Sequence, residues 1–252
     1  MILRSKVQYV QVNNILVRYQ RVGSGPPVIL LHGLSASTRW WMHNVEDLAQ
    51  EYCVYLVDLP GFGSMAHIQQ RFALLQAASW LLQWMDAIGL ERADFIGHSM
   101  GGFIGLWIAA HRPEAISRLI LVAPAVFPQV RSIFGYAVPL LKSFRYMSPQ
   151  FFMIVSLDTL RMGFLTLLRA VRDLISEHLD EEIEAVQTPT LLIWGEGDTL
   201  VPPTLGELLQ EKMQAASLLI IPKAGHACMY DQPAIFNAIV KDFLAKQTTP
   251  GG

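Results

Sequence analysis

Ala93-Asp94-Phe95-Ile96-Gly97-His98-Ser99-Met100-Gly101-Gly102-Phe103-Ile104-Gly105-Leu106-Trp107-Ile108-Ala109-Ala110-His111 compresses a strand, a sharp turn and a helix into one stretch. Ala93 to Ile96 is a short, mostly apolar run of strand character, and from Gly102 onward Phe103, Ile104, Trp107 and Ile108 recur at helical spacing. Between them Gly97-His98-Ser99-Met100-Gly101 has the G-x-S-x-G pattern of a nucleophile elbow. A serine at the apex of so tight a turn occupies a sparsely allowed backbone region. Side chains two residues to either side would collide, and glycine at both places removes the collision. Gly102 lets the helix lie close to the sheet, and the hydroxyl stands at the positive end of that helix. The pattern alone is short enough to arise by chance, so its neighbours decide its weight.

Working toward the N-terminus, Val28-Ile29-Leu30-Leu31 is a continuous apolar run of the kind buried in a central strand, and it ends in His32-Gly33-Leu34. Before it, Tyr9–Val12 and Ile15–Val22 read as a hairpin turning at Asn13-Asn14. After it, a helix is expected from Ser37 with Trp41, Val45 and Leu48 on one face. Strand Cys53–Val57 follows, ending in Asp58-Leu59-Pro60-Gly61-Phe62-Gly63. Leu74, Ala78, Leu81 and Met85 mark a further helix closed by Gly89.

Working toward the C-terminus, Arg118–Val122 is another buried strand. From Ala125 to Gln187 the alternation stops, in a segment rich in Phe, Met and Leu that reads as several short helices. Strand rhythm returns at Thr190–Trp194, followed by Gly195-Glu196-Gly197-Asp198. A helix over Pro203–Gln214, strand Leu218–Ile221, Pro222-Lys223-Ala224-Gly225-His226 and a final helix from Pro233 complete the pattern.

Strands alternating with helices imply an α/β fold with a mostly parallel sheet covered on both faces. Ligands bind such sheets at the carboxyl ends of the strands. His32-Gly33, Asp58, Ser99, Asp198 and His226 all fall just after an expected strand, so one sheet edge collects them. A serine hydroxyl needs a base to take its proton, and the base needs a carboxylate to orient it. His226 is the natural base and Asp198 the natural orienter, with Glu196 the alternative acid two residues away. The order Ser, Asp, His is that of α/β-hydrolases.

From Tyr9 to Lys246 the chain therefore resembles the α/β-hydrolase superfamily, on His32-Gly33-Leu34, Asp58–Gly63, Gly97–Gly102, Gly195–Pro202 and Pro222–His226. The resemblance implies an eight-stranded sheet with helices on both faces. It implies a core of residues 1–124 and 188–252, with a helical lid, 125–187, inserted after strand 6. It also implies catalysis by Ser99, Asp198 and His226, with an oxyanion hole of the Leu34 and Met100 backbone N–H groups. His98 is expected to pack behind the site, His32 to shape the oxyanion loop, Asp231 to serve the N-terminal turn of the last helix, and Asp58 to brace a rim loop. Trp41, Phe127, Phe134, Met147, Phe151 and Phe164 are the candidate pocket wall, with the Trp40-Trp41 pair open between pocket and core.

Composition narrows the function class. The 252 residues carry a net charge of −2 and are 16% charged, which gives no global basic field for nucleic acid. No cluster suggests a metal, and no cofactor is expected. Cys53 and Cys228 read as free thiols. Met1–Lys6 lacks a signal-peptide core and no apolar run reaches the length of a membrane span, so a soluble cytoplasmic protein is expected. Six basic residues against Asp158 between Ala125 and Arg172 leave room for weak contact with a membrane surface.

The serine separates this chain from relatives of the superfamily that use aspartate. G-H-S-M-G-G resembles the elbow of monoacylglycerol lipases and points to hydrolysis of lipophilic carboxylic esters through an acyl-enzyme. A carbon–carbon hydrolase of ring-cleavage diketones is the alternative enzyme reading, and a non-catalytic ligand sensor the reading from another class.

Overall fold

The computed structural model describes residues 6–68, 73–127, 135 and 137–246. Eight strands form one sheet: β1 (Lys6–Val12), β2 (Ile15–Val22), β3 (Pro27–Leu31), β4 (Cys53–Val57), β5 (Ala93–His98), β6 (Ile116–Val122), β7 (Thr190–Gly195) and β8 (Ala216–Ile221). Their order across the sheet is β1-β2-β4-β3-β5-β6-β7-β8. Only the β1–β2 and β2–β4 pairs are antiparallel. The β1–β2 hairpin turns where expected, with Asn13 and Asn14 both at positive φ (47° and 64°), as a two-residue turn matched to strand twist demands.

The central strands show why both faces must be covered. Ile29 and Leu31 enter one apolar layer and Val28 and Leu30 the other, all fully buried. The first layer is closed by α2 (Leu74–Ala87), α3 (Met100–His111), α7 (Asp180–Ala185) and α8 (Thr204–Lys212). The second is closed by α1 (Val45–Leu48), α9 (Cys228–Asp231) and α10 (Pro233–Ala245), the last burying Phe236, Val240 and Leu244. Burying one such side chain fully stabilises the fold by roughly 1.5–3 kcal/mol.

Between β6 and β7 lie α4 (Ala137–Ser143), α5 (Pro149–Met162), α6 (Phe164–Ser176) and then α7, where several short helices were expected. Ser148 caps α5 by accepting from the Phe151 N–H, with Pro149 at the first helical position.

Two local expectations need correction. The helix expected from Ser37 to Leu48 is split into a 3₁₀ turn, Thr38–Trp41, and the short α1. Tertiary bonds override the helical period there: Asp58 accepts from the Thr38 N–H, and Asn44 donates its amide to Met229 O and Asn237 Oδ1. Strands β5 to β8 also extend beyond the expected runs, to His98, from Ile116, to Gly195 and from Ala216, because neighbouring strands continue the ladder past the apolar residues. Among the described residues no single helix is long and apolar enough to cross a membrane.

Candidate active site

Ser99 follows β5 directly and precedes the first residue of α3, with φ 51° and ψ −111°. The turn is fixed on both sides, by Ser99 N–H donating to Val122 O (2.8 Å) and Ser99 O accepting from Phe103 and Ala125. A Cβ at Gly97 would stand 2.3 Å from Gly101 O, and one at Gly101 2.6 Å from Leu31 O. Both neighbours are backbone and cannot yield, so the two glycines are steric requirements of the elbow. Met100 opens α3, where the first amides have no intrahelical acceptor. A Cβ at Gly33 would lie 3.1 Å from Ser99 Cβ, which brings the His32-Gly33-Leu34 loop against the serine.

That loop is built on a buried, neutral histidine. His32 Nε2 accepts from the Leu59 N–H (3.1 Å), so its Nδ1 carries the proton that is donated to Gly33 O (2.8 Å). Burial lowers its pKa. Asp58, the residue before Leu59, accepts from Thr38 N–H, Ser64 N–H and the Ser64 hydroxyl, and is a structural brace as expected.

The acid and imidazole are positioned by two loops zipped together beyond β7 and β8. Glu196 N–H donates to Ile221 O and Gly197 N–H to Ala224 O, both at 2.9 Å. Gly195 is obligatory there, since a Cβ would stand 2.1 Å from Gly225 O. Asp198 Oδ2 meets His226 Nδ1 at 2.7 Å, while Oδ1 accepts from the Leu200 and Val201 N–H groups at 2.9 Å. The carboxylate is fully buried yet satisfied at both oxygens, and the imidazole keeps some exposure. Glu196 is exposed and accepts from the Lys223 N–H instead.

His98 packs behind this group. Its Nε2–H donates to His226 O (3.0 Å), its ring centroid lies 4.7 Å from that of His226, and burial holds its pKa well below the usual imidazole range. Asp231 does not open the last helix, whose N-cap is Gln232; it ends α9, and its Oδ2 accepts from the Gly225 N–H at 2.8 Å, pinning the residue before His226. Burial pushes its pKa up to about 6, against the Gly225 hydrogen bond and the charge of His226. Cys228, beside this loop, is a buried free thiol whose pKa burial raises.

The expected pocket wall is scattered. Trp41 is fully buried in the core, because it packs with Leu48 and Phe236 in the second apolar layer. Phe164 is 71% exposed at the start of α6. Phe134 lies outside the described residues. Phe127 and Met147 pack at the edges of the two apolar layers. Phe151 is buried against Trp40 and Tyr230, and Trp40 in turn touches His98, so of the tryptophan pair Trp40 stands beside the site. A cleft opens beside Met100, the residue after the serine, lined by Phe62, Leu74 and Ala77, with Thr166, Arg169, Ala170 and Asp173 contributed by α6.

Tyr146 went unnoticed in the sequence. A Cβ at Gly197 would overlap its ring, and one at Gly225 would lie 2.9 Å from its Cβ, so this tyrosine covers both loops. Its signal was the pair of glycines flanking Asp198 and His226, which make room for it.

Known proteins bear on this geometry. The chain is 29% identical to an Aeromonas hydrophila pimeloyl-[acyl-carrier protein] methyl ester esterase, covering 90% of this chain and 99% of the relative. It is also 29% identical to a Pseudomonas savastanoi pv. phaseolicola protein named for carbamate hydrolysis, over 88% of this chain and 95% of that one. Among solved structures, one titled a membrane phospholipase A superposes with a TM-score of 0.84 at 25% identity, covering 96% of this chain and 86% of the other. The pattern described as the alpha/beta hydrolase family matches residues 28–239. With its sheet order, its elbow and its loops in that arrangement, the chain belongs to the alpha/beta hydrolase family, and it is a hydrolase.

Proposed function

We propose that the protein hydrolyses carboxylic esters of lipophilic small molecules through an acyl-enzyme on Ser99. The observation that carries this reading is the 2.7 Å contact of Asp198 with His226 Nδ1, at the sheet edge where Ser99 is held at positive φ. With Nδ1 committed to Asp198, Nε2 of His226 is left to take the serine proton. Ser99 Oγ attacks the ester carbonyl, and the N–H groups of Leu34 and Met100 receive the oxyanion. His226 then returns the proton to the leaving alkoxide, and water, activated by the same imidazole, frees the acid and restores the serine. The methyl ester esterase relative supports this reaction class.

The cleft beside Met100 supports a lipophilic acyl group of limited length. Phe62, Leu74, Ala77 and Ala170 make its apolar walls, while Thr166, Arg169 and Asp173 bring polar groups to it. Each methylene buried there gains at most about 0.8 kcal/mol, roughly fourfold in kcat/KM. Chain ordering takes part of that, leaving about twofold per carbon. The test is kcat/KM for aryl esters from acetyl to dodecanoyl, with one ring-cleavage diketone alongside. A rise over the first few carbons followed by a fall is expected. A steady decline from acetyl contradicts the lipophilic pocket, and preference for the diketone contradicts ester hydrolysis.

A further inference from the structure

The outward side of the insertion is apolar where a surface helix presents polar residues. On α5, Phe151, Ile154, Asp158 and Met162 recur at helical spacing and are buried. Phe152, Met153, Leu157 and Leu160 of the same helix are exposed, Leu160 by 77%. The exposed surface continues past Gly163 in Phe164 and Leu165 (71% and 66%). It reaches the end of α4 as well, where the Phe144 ring meets Phe152 edge-on at 5.6 Å between centroids. Contiguous apolar surface of this kind on a folded chain marks a contact site.

The charges around it indicate what makes the contact. Between residues 137 and 176 the sequence has Lys142, Arg145, Arg161, Arg169 and Arg172, against only Asp158 and Asp173. Asp158 is buried and paired with Arg39 and, at 4.0 Å, with Arg161, and Asp173 is half-buried at the cleft beside Met100. Lys142, Arg145, Arg161 and Arg172 are exposed. A cationic apolar face thus stands on a chain whose net charge is −2. The acidic run lies outside this face, on α7, which packs on α3 and α8 through buried Ile183. A second copy would set these cations against their own kind. An anionic lipid surface accepts both features, apolar side chains at the acyl boundary and cations among the phosphates.

We infer that the exposed face of α4, α5 and α6 docks on anionic phospholipid bilayers. The inference stands apart from the ester reading, because it uses none of the residues that carry the chemistry.

Flotation of the intact protein with vesicles tests it. Phosphatidylcholine containing about a third phosphatidylglycerol should bind at least about tenfold more protein than phosphatidylcholine alone, and added salt should reverse the difference. Arg145→Gln with Arg172→Gln should weaken binding about thirtyfold. Leu160→Glu with Leu165→Glu should abolish it, while hydrolysis of a short aryl ester stays at the wild-type rate and reports that each variant is folded. Absence of binding to the anionic vesicles overturns the inference, as does equal binding to both compositions. A concentration-dependent dimer that Leu160→Glu with Leu165→Glu dissociates, without vesicle binding, also overturns it and gives the face to a second copy.

Discussion

Asp198 and Asp231 stand close to the same imidazole and are held differently. Asp198 meets His226 and two backbone N–H groups, whereas Asp231 accepts from the Gly225 N–H and is partly buried. If Asp198 fixes the imidazole tautomer, Asp198→Asn should lower kcat by about 10⁴. Glu196→Gln, at an exposed position turned to the Lys223 N–H, should change kcat little, and steady-state kinetics of the two variants rank them directly. Asp231 predicts a stability effect. Its pKa is raised to about 6 in the fold, above the usual 3.8. Between those values the folded protein therefore binds more protons than the unfolded chain, and its contribution to stability falls as pH rises through that window. Asn at this position still accepts from Gly225 and has no charge to desolvate. Asp231→Asn should accordingly raise Tm near pH 8, with the gain shrinking below about pH 6 and gone near pH 4. A variant that melts lower than wild type at every pH would refute this. The role of Asp198 could be read from chain order, but that of Asp231 could not. Its position before Pro233 looked like a helix start, and the Gly225 amide it holds is brought there only by the fold.

Among the elements, the regular ones were legible and the contacts between them were not. Apolar runs and turn residues located the strands, though β1 begins at Lys6 and not at Tyr9, and the elbow was readable because its glycines answer a backbone demand. The helix expected from Ser37 failed because Asp58 and Asn44 bind that segment to distant parts of the chain. The insertion gave its helices but not its inward face, since apolar residues occur all round α5 and periodicity alone cannot choose a side. Beside the packing of Phe151 on Trp40 and Tyr230, a polar contact chooses it: buried Asp158 accepts from Ser37 Oγ at 2.7 Å and pairs with Arg39, fastening α5 to the segment just after Leu34. Asp158→Asn keeps the shape and removes the charge. It should cost about 1–3 kcal/mol, a Tm lower by several degrees. Limited proteolysis read by mass spectrometry should then show cleavage between residues 137 and 176 ahead of the core. An unchanged cleavage order would mean that this pair does not fasten the insertion.

At the scale of the whole molecule, the parallel sheet gathers residues far apart in sequence on one edge. β3 ends in the His32-Gly33-Leu34 loop, β5 in Ser99, β7 in the loop of Asp198 and β8 in that of His226. Two apolar layers hold those strands rigid, and the elbow's strain is sustained by backbone bonds to β6 and α3. The central claim is that this edge makes Ser99 a nucleophile. Covalent labelling by an aryl phosphonate, located by peptide mass spectrometry, tests it most directly. The account predicts one adduct, on Ser99, formed more slowly in Asp198→Asn and absent from a Ser99→Ala protein that has lost about 10⁴ or more in kcat. An adduct on another residue, or a Ser99→Ala protein that still turns over esters at the wild-type rate, would contradict it.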